Sequence, residues 1–336
     1  MKFSVFLLAI PLFAVIDGSV INRTTGKPQH GATVTVYKLG TAGIESLESV
    51  KTDAAGRFSF TADPGPGPAL LQGAWDGVTY NKMLTPNTPR TGVEVDVWNS
   101  QSKPGTAKVA QHMVLFEPVD GKLMVNENII YQNPGLISYN NPDNGTLQFY
   151  LPPEANGKVK VECTAPQGMA IERAAMPTKV PNVYGVDFPI KPGETRFQLA
   201  YEIPAASPAV FTGRILHKEG VTRLVTPRGV TLKGEGVREL GREPSTQAAI
   251  YSLSGQNLKV EIEGSGSMSD ASAASGDEGP GIQEILPRVY ERVYMVLGLA
   301  VSILALGFLV LYRAPGNPRA AAPAEADSSP KGKRRA

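Results

Sequence analysis

The sequence predicts an all-β exported body, a succession of β-sandwich domains, joined to one C-terminal transmembrane α-helix. Three observations predict it. Apolar residues alternate with polar ones in many short runs, the period-two pattern of strands with one buried face. Twenty-eight Pro and 35 Gly break those runs at intervals that suit turns rather than long helices. Last, Val293–Tyr312, VYMVLGLAVSILALGFLVLY, runs without a charge and is closed by Arg292 and Arg313.

At a rise of about 1.5 Å per residue, that run makes a helix about 30 Å long, the thickness of a bilayer's hydrocarbon core. Tyr290, Tyr294 and Tyr312 sit near its ends, where amphipathic rings favour the headgroup region. The lipid bilayer is therefore the first partner the sequence names. Gly298 and Ser302 form a small-xxx-small pair, a cue for helix pairing that also serves simple packing.

At the other end, Lys2 precedes the apolar stretch FSVFLLAIPLF at 3–13, the makings of a secretory signal peptide over residues 1–14. Ala14 is the expected last residue of the signal, and an uncleaved anchor is the alternative. Six basic residues follow the C-terminal helix, Arg313, Arg319, Lys331, Lys333, Arg334 and Arg335, against Glu325 and Asp327. This bias puts the tail, 313–336, in the cytoplasm and the N-terminal body outside or in the periplasm, a single-pass arrangement in the inner (plasma) membrane. Residues 15–292 hold 26 basic and 29 acidic side chains, a formal charge of −3, so the body has no electrostatic footprint for nucleic acid.

Residues 15–88 read as the first domain. Ala32, Val34 and Val36 alternate with Thr33 and Thr35, and Phe58 and Phe60 alternate with polar neighbours. Thr25-Gly26-Lys27-Pro28 is a turn. In Asp53-Ala54-Ala55-Gly56 the carboxylate can accept backbone N–H groups while Gly56 takes the left-handed conformation. Together with Ile16-Asp17-Gly18-Ser19-Val20, Gly31-Ala32-Thr33-Val34 and Thr52–Phe58, these segments resemble the carboxypeptidase regulatory-like domain over some 45 residues. The resemblance implies a transthyretin-like β-sandwich, grouped with carbohydrate-binding-like folds, of the kind that serves exported bacterial proteins as an accessory or adhesive module. The sequence departs from that family at Pro64–Pro68, which leads into Ala69-Leu70-Leu71 without the family's Tyr.

Residues 92–263 continue as further β-sandwich, one domain or two, with a boundary expected near 204–208. Val93, Val95 and Val97 alternate with acidic residues, as do Phe197, Leu199, Tyr201 and Ile203, and Leu258, Val260 and Ile262, with polar ones. The single cysteine, Cys163, falls in step with Val159 and Val161 and is expected to be a buried, inert thiol. Intrachain disulfides are impossible with one cysteine.

No catalytic set is legible. A zinc peptidase needs a His-x-x-Glu pair and a further His, whereas His30, His112 and His217 supply no such motif. His30 reads as solvated beside a turn, and His112 and His217 as edge or half-buried residues on strands. Asp143-Asn144-Gly145 reads as a hairpin turn, and Ser252-Leu253-Ser254-Gly255 and Gly234-Glu235-Gly236 match neither a nucleophile elbow nor a phosphate loop. Asn22-Arg23-Thr24 and Asn144-Gly145-Thr146 are glycosylation sequons in a host that uses them. Trp75, Tyr80 and Trp98 are the candidate ligand-binding residues, either as a sugar-stacking platform or as core packing. The expectation is a non-enzymatic envelope protein with no cofactor and no metal. Its body, beyond a flexible linker at 264–281, acts in structure or protein interaction, or alternatively binds polysaccharide as an adhesive ectodomain.

Overall fold

The computed structural model describes residues 15–40, 43–205 and 208–268. The expected signal peptide, the membrane helix, the basic tail and most of the linker lie outside the described residues. Among the described residues the regular structure is extended strand apart from one 3₁₀ turn at Pro153–Ala155. The protein is all-β, and among the described residues no helix is long and apolar enough to cross a membrane.

Two four-stranded sheets build the first part. In one, Ile16–Asn22 pairs antiparallel with Lys27–Pro28 and with Arg57–Phe60. The other runs Gly43–Lys51, Thr33–Gly40, Ala69–Trp75, Val78–Leu84 in antiparallel order. Their inward residues, among them Ile16, Val34, Phe60, Leu71 and Val95, form a single buried cluster. The Asp53 carboxylate accepts the N–H groups of Ala55 and Arg57, both at 2.8 Å, and Gly56 sits at φ +72°. This turn is therefore closed by the chemistry its residues suggest.

The Val93–Val97 strand departs from the sequence reading, which begins the second region with it. It pairs parallel with Ile16–Asn22, and Val93, Val95 and Val97 are buried in the first core. A parallel partner distant in sequence leaves no local signature, so alternation alone could not assign this strand to its sheet.

The second part is organised by an eight-stranded sheet. Its order is Ala170–Arg173, Lys160–Thr164, Gly193–Pro204, Lys122–Asn133, Lys108–Val119, Val221–Thr226, Ala249–Leu253, Val237–Arg242. All neighbours are antiparallel except Lys108–Val119 with Val221–Thr226. Two three-stranded sheets, centred on Val183–Val186 and Asn257–Glu263, add their buried faces to the same core. That core contains Phe116, Phe197 and Ile203 together with Phe211, Leu232 and Val260, so the segment at 204–208 does not divide it. Cys163 is fully buried within it, and burial pushes its thiol up to about 12, which keeps it protonated and inert.

The first residues of the expected linker are held against the body. Gly266 N–H donates to Pro118 O at 3.0 Å, and the buried Glu117 carboxylate accepts the Ser267 hydroxyl at 3.0 Å and the Met268 N–H at 2.7 Å. The Asp143–Gly145 turn is also different from the expectation. It is a turn, but the strand it introduces, Leu147–Tyr150, pairs with Val183–Val186 rather than closing a hairpin.

Candidate functional site

A groove of about 730 Å³ opens at one end of the second core. Its lining includes Lys108, His112, Glu127, Tyr131, Phe149 and His217. His112 and Glu127 line it from two adjacent strands of the eight-stranded sheet and His217 from a loop, while Tyr201 on the next strand bonds Glu127, and each is placed by a local rule.

His112 is turned inward by a β-bulge. The register against Lys122–Asn133 shifts between Val109 and Gln111, so Val109 is buried, Ala110 and Gln111 face out, and His112, Val114 and Phe116 face in. Without the extra residue, strict alternation would put Gln111 inside and His112 outside. Glu127 takes an inward position between Val125 and Ile129, and Tyr201 continues the buried series Phe197, Leu199 on Gly193–Pro204. Register sets the contacts. His112 lies opposite Ile129 and Tyr201 opposite Val125, so each is a diagonal neighbour of Glu127.

The result is a continuous polar chain through an apolar core. The Tyr201 hydroxyl donates to Glu127 Oε1 at 2.7 Å, and His112 Nε2 is 2.8 Å from Glu127 Oε2. His112 Nδ1 meets His217 Nε2 at 3.0 Å, and His217 Nδ1 donates to Glu219 O at 2.6 Å. Glu127 is only 8% exposed and His112 3%, so each polar atom needs these partners to offset its lost hydration. Burial, and then the nearby Glu127 charge, raise the Tyr201 phenol well above its ordinary range, so it stays a donor. Burial, and then the His112 charge, lower the His217 imidazole.

Both imidazoles correct the sequence reading. His112 is on a central strand, paired on both sides and buried, and His217 is half-buried in the 215–220 loop rather than on a strand. No motif announces this pair, because 105 residues separate the two rings. The signal available in the sequence was weaker: Glu127 at an inward position of an alternating run, a buried carboxylate that requires partners. His30 is exposed, as its turn suggests.

Trp75, Tyr80 and Trp98 lie elsewhere, at the seam between the two cores. The Tyr80 and Trp98 rings are 5.1 Å apart, and the Tyr80 hydroxyl donates to Trp98 O at 2.9 Å and pairs with Ser138 Oγ at 2.9 Å. Lys191 Nζ covers the Tyr80 ring at 5.2 Å, and burial lowers that amine to about 8. Trp75 Nε1 donates to Asn99 Oδ1 at 3.0 Å. Tyr80 is 4% exposed, while both indoles are half-buried against the first core. The Asn22 sequon is likewise internal, since Asn22 is 1% exposed and donates to Gln29 and Asn99.

Among the described residues no group of three or more His, Cys, Asp or Glu side chains converges to hold a metal ion. No family model matches the chain, and no curated protein sequence matches it.

Proposed function

We propose that this chain is a non-enzymatic, exported, membrane-tethered β ectodomain that docks a protein partner of the cell envelope in the groove beside His112. Its first part is the carboxypeptidase regulatory-like sandwich that the sequence resembles, its second part a further sandwich, and Val293–Tyr312 its anchor.

One observation carries the reading. In the groove, both ring nitrogens of His112, both of His217 and both oxygens of Glu127 are engaged with one another, with Tyr201 or with a backbone carbonyl. These bonds turn the polar atoms of the two imidazoles and the carboxylate toward the protein's own groups, which favours a structural role for them over that of a general base. What the groove offers instead is surface: the half-buried Tyr131 and Leu216 for apolar contact, with Lys108, Arg214 and Lys218 at the rim. That mixture of aromatic and cationic groups suits a protein segment carrying carboxylates.

The test is affinity purification of the full-length chain from its native membrane, beside the double variant Arg214→Glu, Lys218→Glu. The reading expects a protein recovered with the native chain and lost from the variant. Equal recovery by both chains excludes the groove. Recovery of polysaccharide in place of protein favours the adhesive ectodomain.

A further inference from the structure

The His112–His217 contact fixes how many protons the groove wall can hold. Glu219 O can only accept, so His217 Nδ1 carries a hydrogen and its Nε2 is free to accept one. One hydrogen therefore lies between His112 Nδ1 and His217 Nε2, and another lies between His112 Nε2 and Glu127 Oε2. Whichever partner holds the latter, the three groups together carry three hydrogens and no net charge. With His112 doubly protonated against the Glu127 carboxylate, a fourth proton taken up by an imidazole has only His217 Nε2 to go to. It must enter the ring-to-ring contact, where two N–H groups would then face each other across 3.0 Å.

We propose that the His112–His217 contact is a proton-operated latch, which holds the 215–220 loop on the sheet near neutral pH and releases it in mild acid. The loop forms one wall of the groove through Leu216, His217, Lys218 and Glu219. Its release widens the groove from that side. The latch concerns the same groove as the docking site but stands without it, because it is a property of the loop and not of a partner.

The geometry suits a proton rather than a metal ion. With ring centroids 5.2 Å apart and nitrogens 3.0 Å apart, the two nitrogens point nearly at each other. A metal held in line between them at about 2.0–2.1 Å from each would need them about 4 Å apart.

Burial and then the His112 charge lower the His217 imidazole, and they outweigh the Glu219 carbonyl and the Glu127 charge, which raise it. Glu127 reaches the pair from Lys122–Asn133, and Tyr201 reaches Glu127 from Gly193–Pro204. Lys108 on the His112 strand, Arg214 at the end of Ala209–Arg214, and Lys218 and Glu219 in the loop share the groove, as do the phenols of Tyr131 and Tyr150. Lys108 and Glu219 are 3.9 Å apart. Three rim cations against one rim carboxylate oppose a second imidazolium, as burial and the His112 charge already do. Because the latched His217 is lowered, the latch is fully stable above the free imidazole value of about 6.5 and weakens as the pH falls below it.

Three histidines in the whole chain make the test simple. In the full-length chain labelled with ¹⁵N, the ring N–H shared by His112 and His217 is followed by NMR from about pH 8 to about pH 4, across the imidazole range. The latch predicts that the shared N–H signal is lost in a step below the free imidazole value of about 6.5. The backbone amides of Leu216, Lys218 and Glu219 should shift in the same step, while those of Leu123 and Val125 in the core stay fixed. In His217→Gln the loop amides should no longer show that step. A shared signal that persists to the acid end overturns the proposal, as do loop amides that ignore the His217 step. The joint step of the shared N–H and the loop amides, followed within the native chain, needs no variant and decides the matter even if His217→Gln fails to fold.

Discussion

Tyr201 donates its hydroxyl to Glu127 Oε1 at 2.7 Å, across neighbouring strands of the eight-stranded sheet and inside the second core. Among the described residues this hydroxyl is the donor to that oxygen, while the other oxygen faces His112. Tyr201→Phe keeps the ring and removes the donor, leaving a buried carboxylate oxygen unsatisfied. The expected cost is about 1–3 kcal/mol, measured as a shift in urea midpoint at constant slope. A midpoint within error of the native one would show that water or a neighbour replaces the hydroxyl.

Gly18 allows the parallel strand to approach. A Cβ built there would lie 1.9 Å from Val93 O and 2.8 Å from the Phe58 ring. Gly18 lies opposite Val93 in the parallel pair and opposite Phe58 in the antiparallel one, so neither neighbour can retreat without breaking a ladder. Gly18→Ala should destabilise the first core by about 1–3 kcal/mol or more, the range for overpacked positions. A thermal midpoint unchanged from the native chain would contradict the close approach.

Glu243 predicts a local pH response. Its carboxylate accepts the Thr246 hydroxyl and N–H and the Ser245 hydroxyl, which lower it to about 2. A carboxylate depressed in the folded chain contributes stability above the free value of about 4.3, and that stability is lost as the pH falls toward the folded value. The Thr246 amide resonance should therefore hold its position at about pH 4 and move only as the pH approaches 2. Glu243→Gln should abolish that movement. A shift centred on the free glutamate value would mean that the cap does not form.

Much of the strand content was legible because alternation is a local property. Ala32, Val34 and Val36, Phe58 and Phe60, and Phe197, Leu199, Tyr201 and Ile203 are all buried where their period places them. Trp75, Tyr80 and Trp98 were legible only as large rings. Their neighbours Ser138 and Lys191, which set what those rings do, arrive from the second part of the chain.

By itself the sequence determined the all-β character, the turn chemistry at Asp53–Gly56 and the inert state of Cys163. Each follows from a residue and its immediate neighbours through backbone conformation and burial period. Only the tertiary structure decided that Val93–Val97 completes the first core, that 204–208 does not divide the second, and that His112 meets His217. Those outcomes depend on strand register and on one bulge at Ala110, where a single extra residue reverses which side chains face the core.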